Sequence, residues 1–550
     1  MGIVSRECKF VMCPPNDAYI EDDLHIVKEI VTYDDGKVEP RLTILKDFKR
    51  PFWITKPVYQ NYKQKKESEF IERLDKFTAT QKELPKAIAA RLGSRYNGVK
   101  SMRDLIDSPY LYGTDIDSRA IVKKLYQEKY PNITSEYSLA VLDIENDTET
   151  DEMVIVSVAT KKEVYVGILN KILKGKIDPI KQLTYLFEKY IPHTEYNKDI
   201  VPKFDIFNTE IDLLRGILDK IHEYKTDFVA VWNIDFDIPF LVKVCKRNNV
   251  NPKDVFSHPD VPDKYKYFTY KQGTKLKVTE SGVHKPLRPQ EQWHLVYTPS
   301  YSYWIDAMSA YNFIRQGAKS ISGGYSLDNV LNKELGKSMK KLKFEDSVSD
   351  SLVGIDWHRY MVKNKPLEYI IYNAWDTMSV LELDNKTKDL AISLPALSEI
   401  SSFDIFNSGP KKIIDTIHYF YLDNGKVLGV KGKKVDESNL LGLDGWINIL
   451  QSAYIADNYG KVILENSKMT TNIRGHVADL DAVSSYPSDI LAANVSKDTT
   501  SRELLSIEGM TKDEFILENI NLFFGCVNSV DYCVNMLQYP SLPELLERCK

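Results

Sequence analysis

Residues 138–145 read Ser-Leu-Ala-Val-Leu-Asp-Ile-Glu (SLAVLDIE), an apolar run that ends in two carboxylates one residue apart. The run has strand character. Alternate side chains of a strand share a face, so Asp143 and Glu145 point the same way. Neighbouring carboxylates on one face each disfavour the charge of the other, and a divalent cation between them removes that cost. A solvated strand end gives the same pattern. A second apolar run, MVIVSVAT (153–160), follows, and strand-like and helix-like segments then alternate to about residue 390. Residues 131–390 are therefore expected to form an α/β domain.

Two further acidic clusters lie in this region. In FVAVWNIDFDIPFL (228–241) a strand-like stretch from Phe228 to Trp232 runs into Asn233, Asp235, Phe236 and Asp237. A helix with Val242, Val244 and Cys245 on its apolar side follows. Asp237 then stands where strand gives way to helix, as a ligand at a sheet edge or, with Asp235, as a helix cap. In EYIIYNAWDTMSVLEL (368–383), Tyr372 and Asp376 are one helical turn apart and share a face. That spacing suits a water-holding phenol beside a metal-binding carboxylate, and an ordinary amphipathic helix also shows it.

Taken together and in this order, Asp143-x-Glu145, Asn233-x-x-Phe236-Asp237 and Tyr372-x-x-x-Asp376 resemble the DEDDy proofreading exonuclease of family B DNA polymerases, near the tailed-phage branch. The interval between Asn233 and Phe236-Asp237 is one residue shorter than phage relatives usually have. The resemblance implies an RNase H-like fold and hydrolysis by two Mg²⁺ (Mn²⁺ can substitute), with Asp143, Glu145, Asp237 and Asp376 as metal ligands. Tyr372 would orient the attacking water, and Asn233 and Phe236 would meet DNA. The run DKYKYFTYKQGTKLKV (263–278) reads as a basic, aromatic hairpin turning at Gln272-Gly273. Its Lys264, Lys266 and Lys271 are candidates for phosphate contact, and its tyrosines for base stacking. A solvated hairpin would look the same.

Near the end, HVADLDAVSSYPSDILAANVS (476–496) resembles motif A of the same polymerases at Asp481, Ser484, Tyr486 and Pro487, with Ser485 in place of the usual Leu. By that resemblance Asp481 binds the catalytic metals. Ser484, Ser485 and Tyr486 would hold the incoming dNTP at a turn before a helix, and Tyr486 would exclude a 2′-hydroxyl. The segment 407–429 resembles the connection between exonuclease and palm, and its Lys411 and Lys412 are candidates for DNA contact. No counterpart of motif B or C is found. The expected order is an N-terminal domain (1–130), the exonuclease domain (131–390), a helical connection returning to the N-terminal domain (391–445) and the first part of a palm (446–550). A second polypeptide carrying fingers, remaining palm and thumb would complete the polymerase, with Phe523, Phe524 and Leu537 facing it. The alternative is a fragment of a longer chain. Primer–template and single-stranded DNA are the expected partners.

Composition agrees with a multidomain soluble protein. The chain has 550 residues, 43% apolar and 27% charged, with formal net charge −5. That balance speaks against a surface coated in nucleic acid but permits local basic channels. No apolar run is long enough for a membrane helix. The cysteines at 8, 13, 245, 526, 533 and 549 form no CxxC pair, so neither a zinc site nor a disulfide framework is indicated, and a cytoplasmic setting is expected. In the N-terminal region, 29–38 and 41–48 read as strands and the polar stretch near 65–91 as helix. A non-catalytic DNA-binding scaffold and a stand-alone nuclease are the competing functional classes.

Overall fold

The SLAVLDIE run becomes the strand Leu139–Asp147, in the interior of a six-stranded sheet. From one edge the order is Val201–Phe207, Glu163–Leu169, Glu152–Ala159, Leu139–Asp147, Phe228–Val231 and Tyr303–Asp306. The Phe228–Val231 strand lies parallel to both of its neighbours, so Leu142, Val231 and Asp306 stand in register at one edge of the sheet. The Glu152–Ala159 strand runs antiparallel to both of its own neighbours and makes the sheet mixed. A computed structural model provides this description for residues 2–429, apart from 19, 64, 94, 95, 97, 99, 100, 279–281, 316–323, 350 and 351. The expected palm segment lies outside the described residues, with Asp481, Ser484, Ser485, Tyr486, Phe523, Phe524 and Leu537.

Burial explains the sheet. Phe228, Val229, Ala230 and Val231 are fully enclosed, as a continuous apolar run in a strand covered on both faces must be. Each such Val or Phe contributes about 1.5–3 kcal/mol. The helix Pro366–Thr387 packs across the strands Leu139–Asp147 and Glu152–Ala159. It is buried almost all round from Pro366 to Asp384, so it is a central core helix rather than an amphipathic surface one. The Ser157 hydroxyl on the sheet donates to the Asn373 carbonyl at 2.9 Å and helps fix its register.

The N-terminal strands Ile3–Met12, Leu24–Tyr33 and Val38–Lys46 form an antiparallel meander. Its Phe10, Met12, Leu24 and Ile26 join the core of the α/β region. The fully buried Lys28 reinforces that junction. Its ammonium donates to the carbonyls of Lys225 and Thr226 at 2.8 and 3.0 Å and lies 3.0 Å from Asp227 Oδ1. A separate sheet, Leu74–Ala79, Arg50–Thr55 and Leu111–Tyr112, has its own small cores. After the helix Gly409–Asp423, the strand Lys426–Leu428 pairs with Ser68–Phe70 and brings the chain back to the N-terminal region.

Two local expectations are corrected. The stretch near 65–91 is not one helix: it contains the strands Ser68–Phe70 and Leu74–Ala79, and α-helix begins only at Leu84. Pairing with Arg50–Thr55 overrides the polar composition there. Nor do residues 263–278 fold on themselves as a hairpin. Asp263–Tyr265 is a 3-10 turn, and Thr269–Lys271 pairs with the distant Leu295–Tyr297. The hairpin that forms is Leu276–Val278 with His284–Pro286, carried at the end of that pair. Gly273 passes so close to the Trp293 backbone that a Cβ would sit 2.7 Å from its nitrogen, so the base of this arm has no room for a side chain.

Removing one member of the buried Lys28–Asp227 pair should cost roughly 3–5 kcal/mol. Thermal unfolding should therefore show a large loss for Lys28→Ala. Lys28→Met combined with Asp227→Asn should recover most of it.

Candidate active site

Three parallel strands end side by side, and the acidic residues follow from those ends. Asp143 and Glu145 lie on the strand Leu139–Asp147, and Asp237 in the first turn of the helix Ile234–Arg247 that leaves Phe228–Val231. Asp306 closes the third strand. Across from them the helix Pro366–Thr387 presents Tyr369, Tyr372, Asn373 and Asp376. Asp143, Glu145 and Asp376 each offer a carboxylate oxygen, all within 4.8 Å of one another. Asp237 is 4% exposed, and its charge and that of Glu145 oppose each other.

Asp143, Asp237 and Asp376 are costly to ionise as they stand. Burial, followed by the charges of Asp376, Glu145 and Asp237, pushes Asp143 well above the usual carboxylate range. Burial and then Glu145 do the same to Asp237. Asp376 is raised chiefly by burial, against the pull of Lys341. Asp237 Oδ1 and Asp376 Oδ1 are buried without a hydrogen-bond partner among the described residues. A hard, oxygen-only donor set with orphaned, mutually repelling oxygens fits a divalent cation such as Mg²⁺.

The neighbours of this cluster were not visible in the sequence. Asn373 Nδ2 donates to Asp143 Oδ2 at 2.6 Å. Tyr369 donates its phenolic proton to Glu145 Oε2. Lys341 bonds to Asp376 Oδ2 and donates to the Tyr372 hydroxyl at 3.0 Å. Burial opposes the Lys341 charge, but Asp376, Tyr372 and Asp143 outweigh it and hold the ammonium well above an ordinary lysine. Tyr372 is itself raised well above the usual phenol range, first by burial and then by Asp376, so it keeps its proton. The Trp375 indole N–H donates to the Lys340 carbonyl at 2.9 Å and tethers the Lys341 segment to the core helix.

Neither Asp235 nor Asp237 is the cap at the start of the Ile234–Arg247 helix. Asp306 Oδ2 accepts from the Ile234 N–H at 3.1 Å, while its Oδ1 caps the next helix at Ser309 N, 2.7 Å away. Burial raises Asp306 to about 7. Asp235 instead accepts from Tyr270 (2.6 Å) and Gln272 (2.7 Å), fastening the hairpin arm to this helix. Asn233 precedes the helix without a side-chain capping bond. Phe236 is 52% exposed and stacks at 11° on Phe240.

Of the lysines, Lys264 and Lys271 are exposed, whereas Lys266 is held by Asp263 at 2.7 Å. Tyr265 and Tyr267 are buried, at 2% and 3% exposure, and do not form a stacking ladder. Lys411 and Lys412 sit in the first turn of the helix Gly409–Asp423, Lys411 exposed and Lys412 over the Phe406 ring.

Residues 112–274 match the family model of the DNA polymerase family B exonuclease domain. The matched stretch includes Asp143, Glu145 and Asp237, and it implies 3′→5′ exonuclease activity. Asp376 and Tyr372 lie beyond it in sequence, and it is the fold that brings them to the same cluster. No curated protein matches the chain. No described helix is long and apolar enough to cross a membrane.

Because Asp143 and Asp237 are raised in the fold, each holds a proton at pH values where the unfolded chain has lost it. Their contribution to stability is full below the ordinary carboxylate range and is lost as pH rises through the raised values. Calorimetry in chelator should therefore show Asp237→Asn melting higher than the parent at neutral pH, by roughly 2 °C or more for about 1 kcal/mol. Added Mg²⁺ should stabilise the parent and leave the variant nearly unchanged.

Proposed function

We propose that this chain is a Mg²⁺-dependent 3′→5′ exonuclease that proofreads DNA as part of a family B DNA polymerase. The observation that carries this reading is the convergence of Asp143, Glu145 and Asp376 within 4.8 Å, with Asp237, whose Oδ1 is buried without a hydrogen-bond partner, close enough for its charge to act on Asp143, in a chain whose residues 112–274 match that exonuclease domain.

Asp143, Glu145, Asp237 and Asp376 would hold two Mg²⁺ (Mn²⁺ can substitute), and the ions would supply activation of a water and charge neutralisation at the leaving 3′ oxygen. Tyr372 keeps its proton and orients the water as a hydrogen-bond partner. Lys341 holds the Tyr372 hydroxyl and Asp376 in place. Phe236, exposed in the helix that carries Asp237, and Asn233 just before that helix receive the terminal nucleotide. Lys264 and Lys266 at the turn before the arm and Lys271 on it, with Lys411 and Lys412, follow the DNA backbone.

Within the proposed whole, residues 1–130 are the N-terminal domain, 131–390 the exonuclease, 391–445 the connection and 446–550 the start of the palm. Asp481, with Ser484, Ser485 and Tyr486 around the dNTP, contributes one carboxylate to a polymerase centre that needs more than one. A second polypeptide with fingers, remaining palm and thumb supplies the rest, and the setting is the cytoplasm of a phage-infected host.

A 5′-labelled single strand should be shortened from its 3′ end in Mg²⁺, and Asp143→Ala should abolish this. Tyr372→Phe should lower kcat by about 10²-fold, the scale of a lost positioning group, with KM for DNA little changed. Primer extension should appear only when a polypeptide bearing the remaining palm is added. Asp481→Ala should remove the extension and spare digestion. Digestion by Asp143→Ala at the parent rate would sink the exonuclease assignment.

A further inference from the structure

The helix Gly354–Asn364 lies against the core helix Pro366–Thr387 and brings two side chains to the site. Trp357 is buried, with its ring 4.9 Å from that of Tyr372. Beside it, His358 is about one-third exposed at its side chain and reaches Glu145. His358 Nδ1 is 2.8 Å from the Tyr369 hydroxyl and 3.4 Å from Glu145 Oε2.

Counting protons decides the direction of these bonds. A phenol has one hydrogen, and that of Tyr369 goes to Glu145 Oε2. The Tyr369 oxygen must then accept from His358, so His358 carries hydrogen on Nδ1. The chain of donation runs from His358 to Tyr369 to Glu145. Its end commits Oε2 and leaves Oε1 as the carboxylate's remaining oxygen. Tyr369 is fully enclosed and stacked on Tyr372 at 18°, so it has little freedom to point elsewhere.

Resting on the metal-site reading above, we infer that His358 is a positioning residue: acting through Tyr369, it fixes the rotamer of Glu145 and so the oxygen that Glu145 turns to the cation. Asn373 plays the matching part for Asp143 by occupying Oδ2. Both carboxylates of the strand are thus held by one oxygen each. A loosened carboxylate would bind metal more weakly without altering the surface that meets DNA. Donors that orient a metal-binding group in this way are worth about 10–100-fold in metal affinity.

The test uses the full chain and Mn²⁺ alone, with free ion followed by electron paramagnetic resonance. His358→Ala and Tyr369→Phe should each weaken Mn²⁺ binding by roughly 10–100-fold. Their combination should be no weaker than either alone, because they act in series. His358→Asn, which restores an N–H donor, should recover much of the affinity. In nuclease assays at saturating Mn²⁺, KM for DNA should stay at the parent value. Tyr369→Phe keeps the buried ring, and far-ultraviolet circular dichroism checks that each variant folds. Parent-like Mn²⁺ binding by folded His358→Ala, or additive losses in the double variant, would overturn the inference. Unchanged Mn²⁺ binding in Asp143→Ala would instead show that the metal-site reading itself is wrong.

Discussion

Carboxylates that repel one another are held together, buried except for the half-buried Asp143, at the carboxyl edge of three parallel strands. Burial and mutual charge push Asp143 and Asp237 far up, and Asp376 is raised less because Lys341 and then Tyr372 restrain it. A fold gains nothing in stability from such a cluster. The surrounding core must offset it, and it does so with the enclosed Phe228–Val231 strand and a core helix buried almost all round. A divalent cation bound here would replace the missing positive charge and release that strain, and its binding would then be linked to folding.

Precision at the cluster comes from rigid elements rather than loops. The parallel register of Leu142, Val231 and Asp306 sets where each chain segment leaves the sheet. Asp306 then ties two helix starts to that edge, including the one that carries Asp237. From the opposite side the core helix supplies Tyr369, Tyr372, Asn373 and Asp376 from consecutive turns of one face. Asp235 has a different task, since its bonds to Tyr270 and Gln272 secure the arm that bears the exposed hairpin. Two neighbouring aspartates thus serve the carboxylate cluster and the arm separately.

Much of the cluster was legible because its signals are local. Strand alternation alone puts Asp143 and Glu145 on one face, and the four-residue interval does the same for Tyr372 and Asp376. What failed depended on partners distant in sequence. The Lys–Tyr alternation at 264–267 looks like a strand, but its tyrosines turn into the core and the real pairing comes from Leu295–Tyr297. Capping by Asp235 or Asp237 was a reasonable local alternative, yet the cap arrives from Asp306 on another strand. A strand ending in Asp before an apolar helix, YWID-AMSAYNF, was a usable signal for Asp306. Lys341 and His358 had none, for each sits in an unremarkable polar segment and gains meaning only through Asp376, Tyr369 and Glu145.

The most direct measurement is the anomalous scattering of crystals grown with Mn²⁺ and a short single strand whose 3′ end is resistant to cleavage. The account predicts manganese peaks bounded by Asp143, Glu145, Asp237 and Asp376, with the terminal phosphate against them. Manganese found elsewhere, with these four side chains turned away from a common ion, would contradict it.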